Sequence, residues 1–260
     1  MKQATIHHPR PYWHVDAKWI VGILLVISLG IALFAFSLSR VTERDTAVQF
    51  SANVVANLFS REGLDNENDV EELRQQALRL PGNEITPLEQ FPGITLTKED
   101  LRTLSAKELK LKLFSQLTGT IYDNGLEEAA AKFTNDPDEQ DNFVKQAAVL
   151  GVLTEATHDA VQTAFTLTLI ISLVLLAALV FFSAGWGRLV SPGVVLLFVS
   201  LPFVPFSIAI SNIPESGDTP FAALPSTILQ HYQFVALLGA GLLLAALVGK
   251  SVQRLRAKKS

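Results

Sequence analysis

The chain has 260 residues, a formal net charge of −4, 49% apolar residues and 18% charged ones, with a positive mean hydropathy of +0.32. The apolar residues are gathered into four long blocks, which argues against an ordinary soluble domain and for a membrane protein. There are 0 cysteines, so a disulfide framework, a thiolate metal site and a cysteine nucleophile are excluded.

Residues 1–18 are polar and slightly basic, with Lys2, Arg10 and Lys18 set against Asp16, and Trp13 and Trp19 suit a membrane interface. Trp19 to Leu38 is then apolar throughout, about 20 residues, enough for one span. A signal peptide would carry an apolar core of roughly 7–15 residues and a small-residue cleavage site, which Ala35-Phe36-Ser37 imitates only weakly. Residues 19–40 therefore read as a retained first transmembrane helix.

Residues 41–160 hold 22 Asp/Glu and 11 Lys/Arg, a net of −11. Val48, Ala52, Val55 and Phe59 form one stripe of an amphipathic helix, read as a continuation of the first span. Val70, Leu73, Ala77 and Leu80 repeat the device, and Pro81-Gly82 stops it. Pro87, Pro92 and Gly93 make the next residues irregular. Thr97 with Asp100 and Ser105 with Glu108 resemble capping boxes. The second predicts a helix to about Tyr122, ended by Asn124-Gly125, although Leu109, Leu111 and Leu113 also alternate as a strand would. A short helix through Leu126, Ala129, Ala130 and Phe133 follows. Asp136 as cap, Pro137 as first residue and Glu139 as box partner then start a further helix. No proline interrupts it before Phe182, so one unbroken helix is expected from Pro137 to Phe182. Its first half carries Lys145, Glu155 and Asp159; its second half, Ala164 to Phe182, carries no charge and forms the second span, residues 161–183.

A short link, residues 184–188, leads to a third span at 189–210, where Pro192, Pro202 and Pro205 are candidate hinge residues and predict a kink in the outer half. Residues 211–233 are a proline-rich connection with Glu215 and Asp218 and no Lys or Arg. Residues 234–249 form a fourth span, and 250–260 a basic tail with five Lys/Arg and no acid. Lys and Arg favour short cytoplasmic segments. Both termini and the 184–188 link are accordingly assigned to the cytoplasm, and the acidic helical domain and the 211–233 loop to the other side of a cell membrane. Arg40 and Arg44 oppose this trend slightly. The expected fold class is all-α: a four-span helical protein with a helical extracytoplasmic domain inserted between spans 1 and 2.

No span carries an internal charge, which argues against proton- or sodium-coupled transport and against buried catalytic groups. Thr163, Thr166, Thr168 and Ser172 make a polar set on the second span, read chiefly as helix packing. Gly241, Ala245 and Gly249 recur every four residues and are candidate helix-packing positions, within this bundle or in a dimer. His158, flanked at helical spacing by Glu155 and Asp159, is a candidate pH-sensitive site, because a charged ring there would relieve like-charge repulsion. His231 is a second, expected near the same membrane face. His7, His8 and His14 lack carboxylate or thiol partners for a metal. Asp65 to Asp69 starts like a calcium loop, but Val70 stands where Gly is needed and Gln76 where the bidentate Glu belongs. No nucleophile elbow, phosphate loop or dinucleotide fingerprint occurs, so no catalytic residue, cofactor or metal is implied.

The plan of span, helical external domain and span resembles that of bacterial helical-bundle sensors, but no signalling output domain follows the second span. The expectation is a non-enzymatic multi-pass membrane protein whose external domain binds a partner or senses, coupled to the bundle. A transport or channel subunit is the alternative, on the kinked third span and the polar face of the second, and a membrane enzyme comes third. The expected partners are the lipid bilayer and a protein or a second copy; nucleic acid is not expected.

Overall fold

The computed structural model describes residues 12–58, 71, 74–75, 79, 82–86, 94–133, 136–212 and 229–259. Of these, 88% are helical. The stripe Val70, Leu73, Ala77 and Leu80, the acidic run 65–69 with Gln76, Phe59, His7, His8 and the loop acids Glu215 and Asp218 lie outside the described residues. The chain divides into two compact units: Met1–Ser37, Gln162–Asn212 and Ser226–Ser260 form one, Leu38–Val161 and Ile213–Pro225 the other.

The first unit is a helical bundle. Its helices are α1 (Tyr12–Val41), α6 (Glu155–Phe182), α7 (Gly187–Ser200), α8 (Val204–Ser211) and α9 (Gln230–Lys259). Among the described residues four stretches are long and apolar enough to cross a membrane: Val15–Val41, Glu155–Phe182, Gly187–Ala209 and Gln230–Ala257. Only 11–28% of their most apolar windows is buried inside the protein, so most of this apolar surface is left for hydrocarbon to cover. Leu25 of α1, Leu179 of α6, and Val195 and Val199 of α7 make the internal core, flanked by Val21, Leu29, Leu33 and Leu175. The predicted kink in the third span is present: a 3₁₀ turn, Leu201–Phe203, separates α7 from α8, with Pro202 inside it and Pro205 opening α8. Pro192 lies buried within α7. The fourth helix extends beyond the expected span 234–249, because His231 to Gln233 and the basic residues from Lys250 onward are also helical.

α7 and α9 pack backbone to backbone. A Cβ on Gly193 would lie 3.0 Å from the Gly239 carbonyl oxygen, and one on Gly239 would lie 2.9 Å from that of Gly193. Trp186, seven residues before Gly193, meets Gly249 and Gln253, so the two helices run antiparallel.

The second unit has its own core. α2 (Arg44–Leu58) packs on α4 (Ala106–Phe133), with α3 (Lys98–Thr103), α5 (Pro137–Gln146) and a 3₁₀ turn (Leu150–Val152) around them. Leu109, Leu113, Leu117 and Ile121 recur every four residues and are buried with Val55, Leu101 and Phe114, which decides for helix over strand at Leu109 to Leu113. Truncating such a residue to Ala costs about 2–5 kcal/mol in a comparable core. Both expected capping boxes form: Thr97 with Asp100, and Ser105 with Glu108, whose carboxylate accepts from Ser105 N–H at 2.8 Å. Gly125, at φ 83° and ψ 172°, interrupts α4 where Asn124-Gly125 was expected to end a helix.

Two expected helix continuations are corrected, and the mostly helical fold also holds one short strand pair: β1 (Glu84–Ile85) pairs antiparallel with β2 (Leu96–Thr97), burying Ile85 and Leu96. Two residues per strand are too few to show a period. α2 does not continue α1, because the helix breaks at Thr42 and Glu43, where the Thr42 carbonyl accepts the Tyr122 hydroxyl at 2.9 Å. Nor is Pro137 to Phe182 one helix. α5 stops at Gln146, the 3₁₀ turn follows, and α6 begins at Glu155, its first turn capped by Thr154, whose hydroxyl accepts from Thr157 N–H at 3.4 Å. The break turns Leu150 toward the main core and Leu153 toward Ala47, Val48 and Tyr122. Gly151 allows it, since a Cβ there would sit 2.5 Å from Leu126 Cδ1.

Candidate functional site

In the bundle, polar and aromatic groups converge where α9 begins. Its first turn carries His231, Tyr232 and Gln233 in succession; at about 100° per residue these side chains point to three different neighbours. His231 Nε2 lies 3.1 Å from Ser37 Oγ of α1. Gln233 donates from Nε2 to Ser207 Oγ of α8 at 2.9 Å. Tyr232, 1% exposed, stacks on Phe203 of the 3₁₀ turn with ring centroids 4.6 Å apart. Phe36 of α1 meets the His231 ring edge-on at 4.9 Å and Phe165 of α6 at 5.2 Å.

Ser37 Oγ is also 3.1 Å from the Leu33 carbonyl, and a hydroxyl has one proton to give. When Ser37 donates to Leu33, the imidazole must donate from Nε2. The cluster thus holds an imidazole, hydroxyls and an amide. The sequence of this unit contains one acidic residue, Asp16, 21 positions before Ser37 on α1 and so about 31 Å away along the helix. With no nearer carboxylate among the described residues of this unit, the arrangement is suited to hydrogen-bonding helix ends together in a low-dielectric medium.

His158 has a different setting, within the second unit. Its Nδ1 is 3.1 Å from the hydroxyl of the buried Thr42, which itself donates to the Leu38 carbonyl at 2.9 Å. Tyr122 closes the group by donating to the Thr42 carbonyl. Its phenol is pushed above the ordinary value by burial first, then by the charges of Glu155 and Asp159. Both carboxylates that flank His158 in sequence therefore act on the same group of residues. Arg44 grips Asp123 through Nε and Nη2 at 2.8 and 2.7 Å, and this hydrogen bonding holds the Asp123 carboxyl below the usual range.

Of the candidate packing residues, Gly241 and Ala245 are exposed, and a Cβ on Gly241 would meet nothing within 4 Å. Gly249 lies under Trp186, whose ring would be 2.0 Å from an added Cβ. Thr166 and Thr168 bond carbonyls of their own helix, while Ser172 reaches Ser28 of α1 at 3.0 Å. Among the described residues no group of three or more His, Asp or Glu is placed to hold a metal ion.

Sequence reasoning missed Ser37, Thr42, Tyr122, Ser207 and Gln233. Ser37 and Ser207 had at most a faint signal as hydroxyls within apolar runs, and their partners lie 194 and 26 positions away. No family model, curated protein or solved structure matches the chain.

Proposed function

We propose that the chain is a non-enzymatic, multi-pass integral membrane protein in which residues 41–160 lie on the extracytoplasmic side and serve as a partner-binding or sensing module. One observation carries this reading: the chain between the first two spans buries a core of its own, including Leu101, Leu113 and Ile121, while carrying a net charge of −11. A segment that only linked two spans would need no such core. Charge supports this location: among the short segments, Lys and Arg fall in the N-terminal segment, the 184–188 link and the tail, while residues 211–233 have none. Coupling to the bundle would run along α1 and α6, because the boundary between the units falls inside both helices.

The transport alternative has one supporting observation. The third span is interrupted by a 3₁₀ turn beside the buried Ser200 and Ser207, and broken helices at membrane depth often border a substrate path. Two measurements separate the readings. Cysteines at Asn142 or Ser216 should react with an impermeant reagent on intact cells, and one at Ser260 should not; labelling of Ser260 overturns the orientation. Purified protein in liposomes should pass no ion or solute above empty vesicles, whereas flux would favour the transport alternative.

A further inference from the structure

At the end of the bundle where α7 starts and α9 finishes, Gly185, Trp186, Arg188, Leu189, Gly249, Val252, Gln253 and Arg256 line an open groove. Its parts are fixed in place. The Trp186 ring lies on Gly249 so closely that a Cβ there would displace it. Its indole N–H donates to Gln253 Oε1 at 2.7 Å, which pins the ring's outer edge to α9. Arg188 Nε is 3.4 Å from the Ser183 carbonyl. That leaves the rest of the guanidinium fork for another acceptor. Arg256 follows Val252 by one helical turn, on the same side of α9.

Two arginines thus face one groove, and among the described residues that line it there is no carboxylate. The only acidic residue in this unit's sequence, Asp16, does not line it. The groove sits at the shared end of the spans Gly187–Ala209 and Gln230–Ala257, where headgroups of a bilayer would lie. Beside Gln253 and two glycines, Leu189, Val252 and Trp186 give it an apolar and aromatic wall, as an acyl chain and an interfacial indole require. We propose that this groove binds the headgroup of an anionic phospholipid, with Arg188 and Arg256 sharing its phosphate and the acyl chains lying along Leu189 and Val252. Arginine suits this role because its planar fork matches phosphate oxygens bidentately. The assignment is independent of what the acidic unit recognises and holds for either orientation of the protein.

The test uses the full chain in mild detergent, with native mass spectrometry of retained phosphatidylglycerol or phosphatidylcholine and with melting in the presence of each. Phosphatidylglycerol should be retained and should raise Tm; phosphatidylcholine should do neither to the same degree. The R188Q/R256Q variant should bind phosphatidylglycerol about tenfold or more weakly, from the attraction expected per basic residue near a charged surface. The K250Q/R254Q variant removes equal charge from residues that do not line the groove and should bind as the parent does. Equal losses in the two variants would mean diffuse attraction to a basic end and overturn the site. Displacement of the lipid by millimolar inorganic phosphate would mean a free-phosphate site and overturn the lipid assignment. Melting without added lipid checks that both variants fold as the parent does; if R188Q/R256Q does not, the single variants R188Q and R256Q, each expected to weaken binding, decide the matter.

Discussion

Replacing Gly239 by Ala tests the packing of α7 on α9 most directly. The new methyl would lie 2.9 Å from the Gly193 carbonyl oxygen and 3.0 Å from both Leu197 N and Leu197 Cγ. Ordinary contact begins near 3.4 Å. Two of the three obstructing atoms are backbone, so no side-chain rotation clears them and the helices must part by about half an ångström. A gap of that size already forfeits roughly a quarter of the dispersion energy of the contacts it opens. Overpacking of this kind costs about 1–3 kcal/mol. Alanine's better helix propensity returns up to about 1 kcal/mol, which leaves a net loss of up to roughly 2 kcal/mol. Gly241→Ala is the internal control, since it meets nothing within 4 Å and should be neutral or stabilising by up to about 1 kcal/mol. Unfolding in mixed micelles with increasing SDS, followed by circular dichroism, gives both midpoints. Equal midpoints, or a greater loss in Gly241→Ala, would refute the packing argument and place the α9 contact on the Gly241, Ala245 and Gly249 face.

Two further substitutions probe the second unit. Tyr122→Phe removes the hydroxyl that serves the Thr42 carbonyl and should cost about 1–3 kcal/mol in thermal melts of the detergent-solubilised chain, because a buried acceptor is left without its donor; an unchanged melt would show the bond to be dispensable. Asp100 accepts from Lys112 Nζ at 2.6 Å and from Thr97 N–H at 3.1 Å, and these bonds hold its carboxyl below the ordinary value. The folded value is depressed, so the stabilisation is full above the unfolded carboxylate value of about 3.9 and is lost as pH falls through the folded one. Asp100→Asn should therefore cost about 1 kcal/mol at pH 7, as loss of a capping group does, and flatten the acid limb of stability below about pH 4; parent and variant curves that run parallel between pH 2 and 7 would contradict the role given to Asp100.

Four long uncharged runs and the segregation of charge were enough to read four membrane-length helices and a helical stretch between the first two. Each is a property of composition over some 20 residues, and hydrocarbon selects on composition. Local chemistry was equally legible. Thr97 with Asp100, Ser105 with Glu108, Asp136 before Pro137 and the Asn124-Gly125 break all act within four residues of sequence. What only the tertiary structure decided is which atoms meet across long separations. Gly193 and Gly239 are unremarkable in their own runs and gain their importance because two backbones cross there. Ser37 is one hydroxyl among many until α9 brings His231 to it. The break between α5 and α6 packs the half-buried Leu150 and Leu153 against other helices, and in an apolar run without proline Gly151 alone hinted at it. A residue's own chain neighbours set its secondary structure preference; its contacts depend on where every other segment ends.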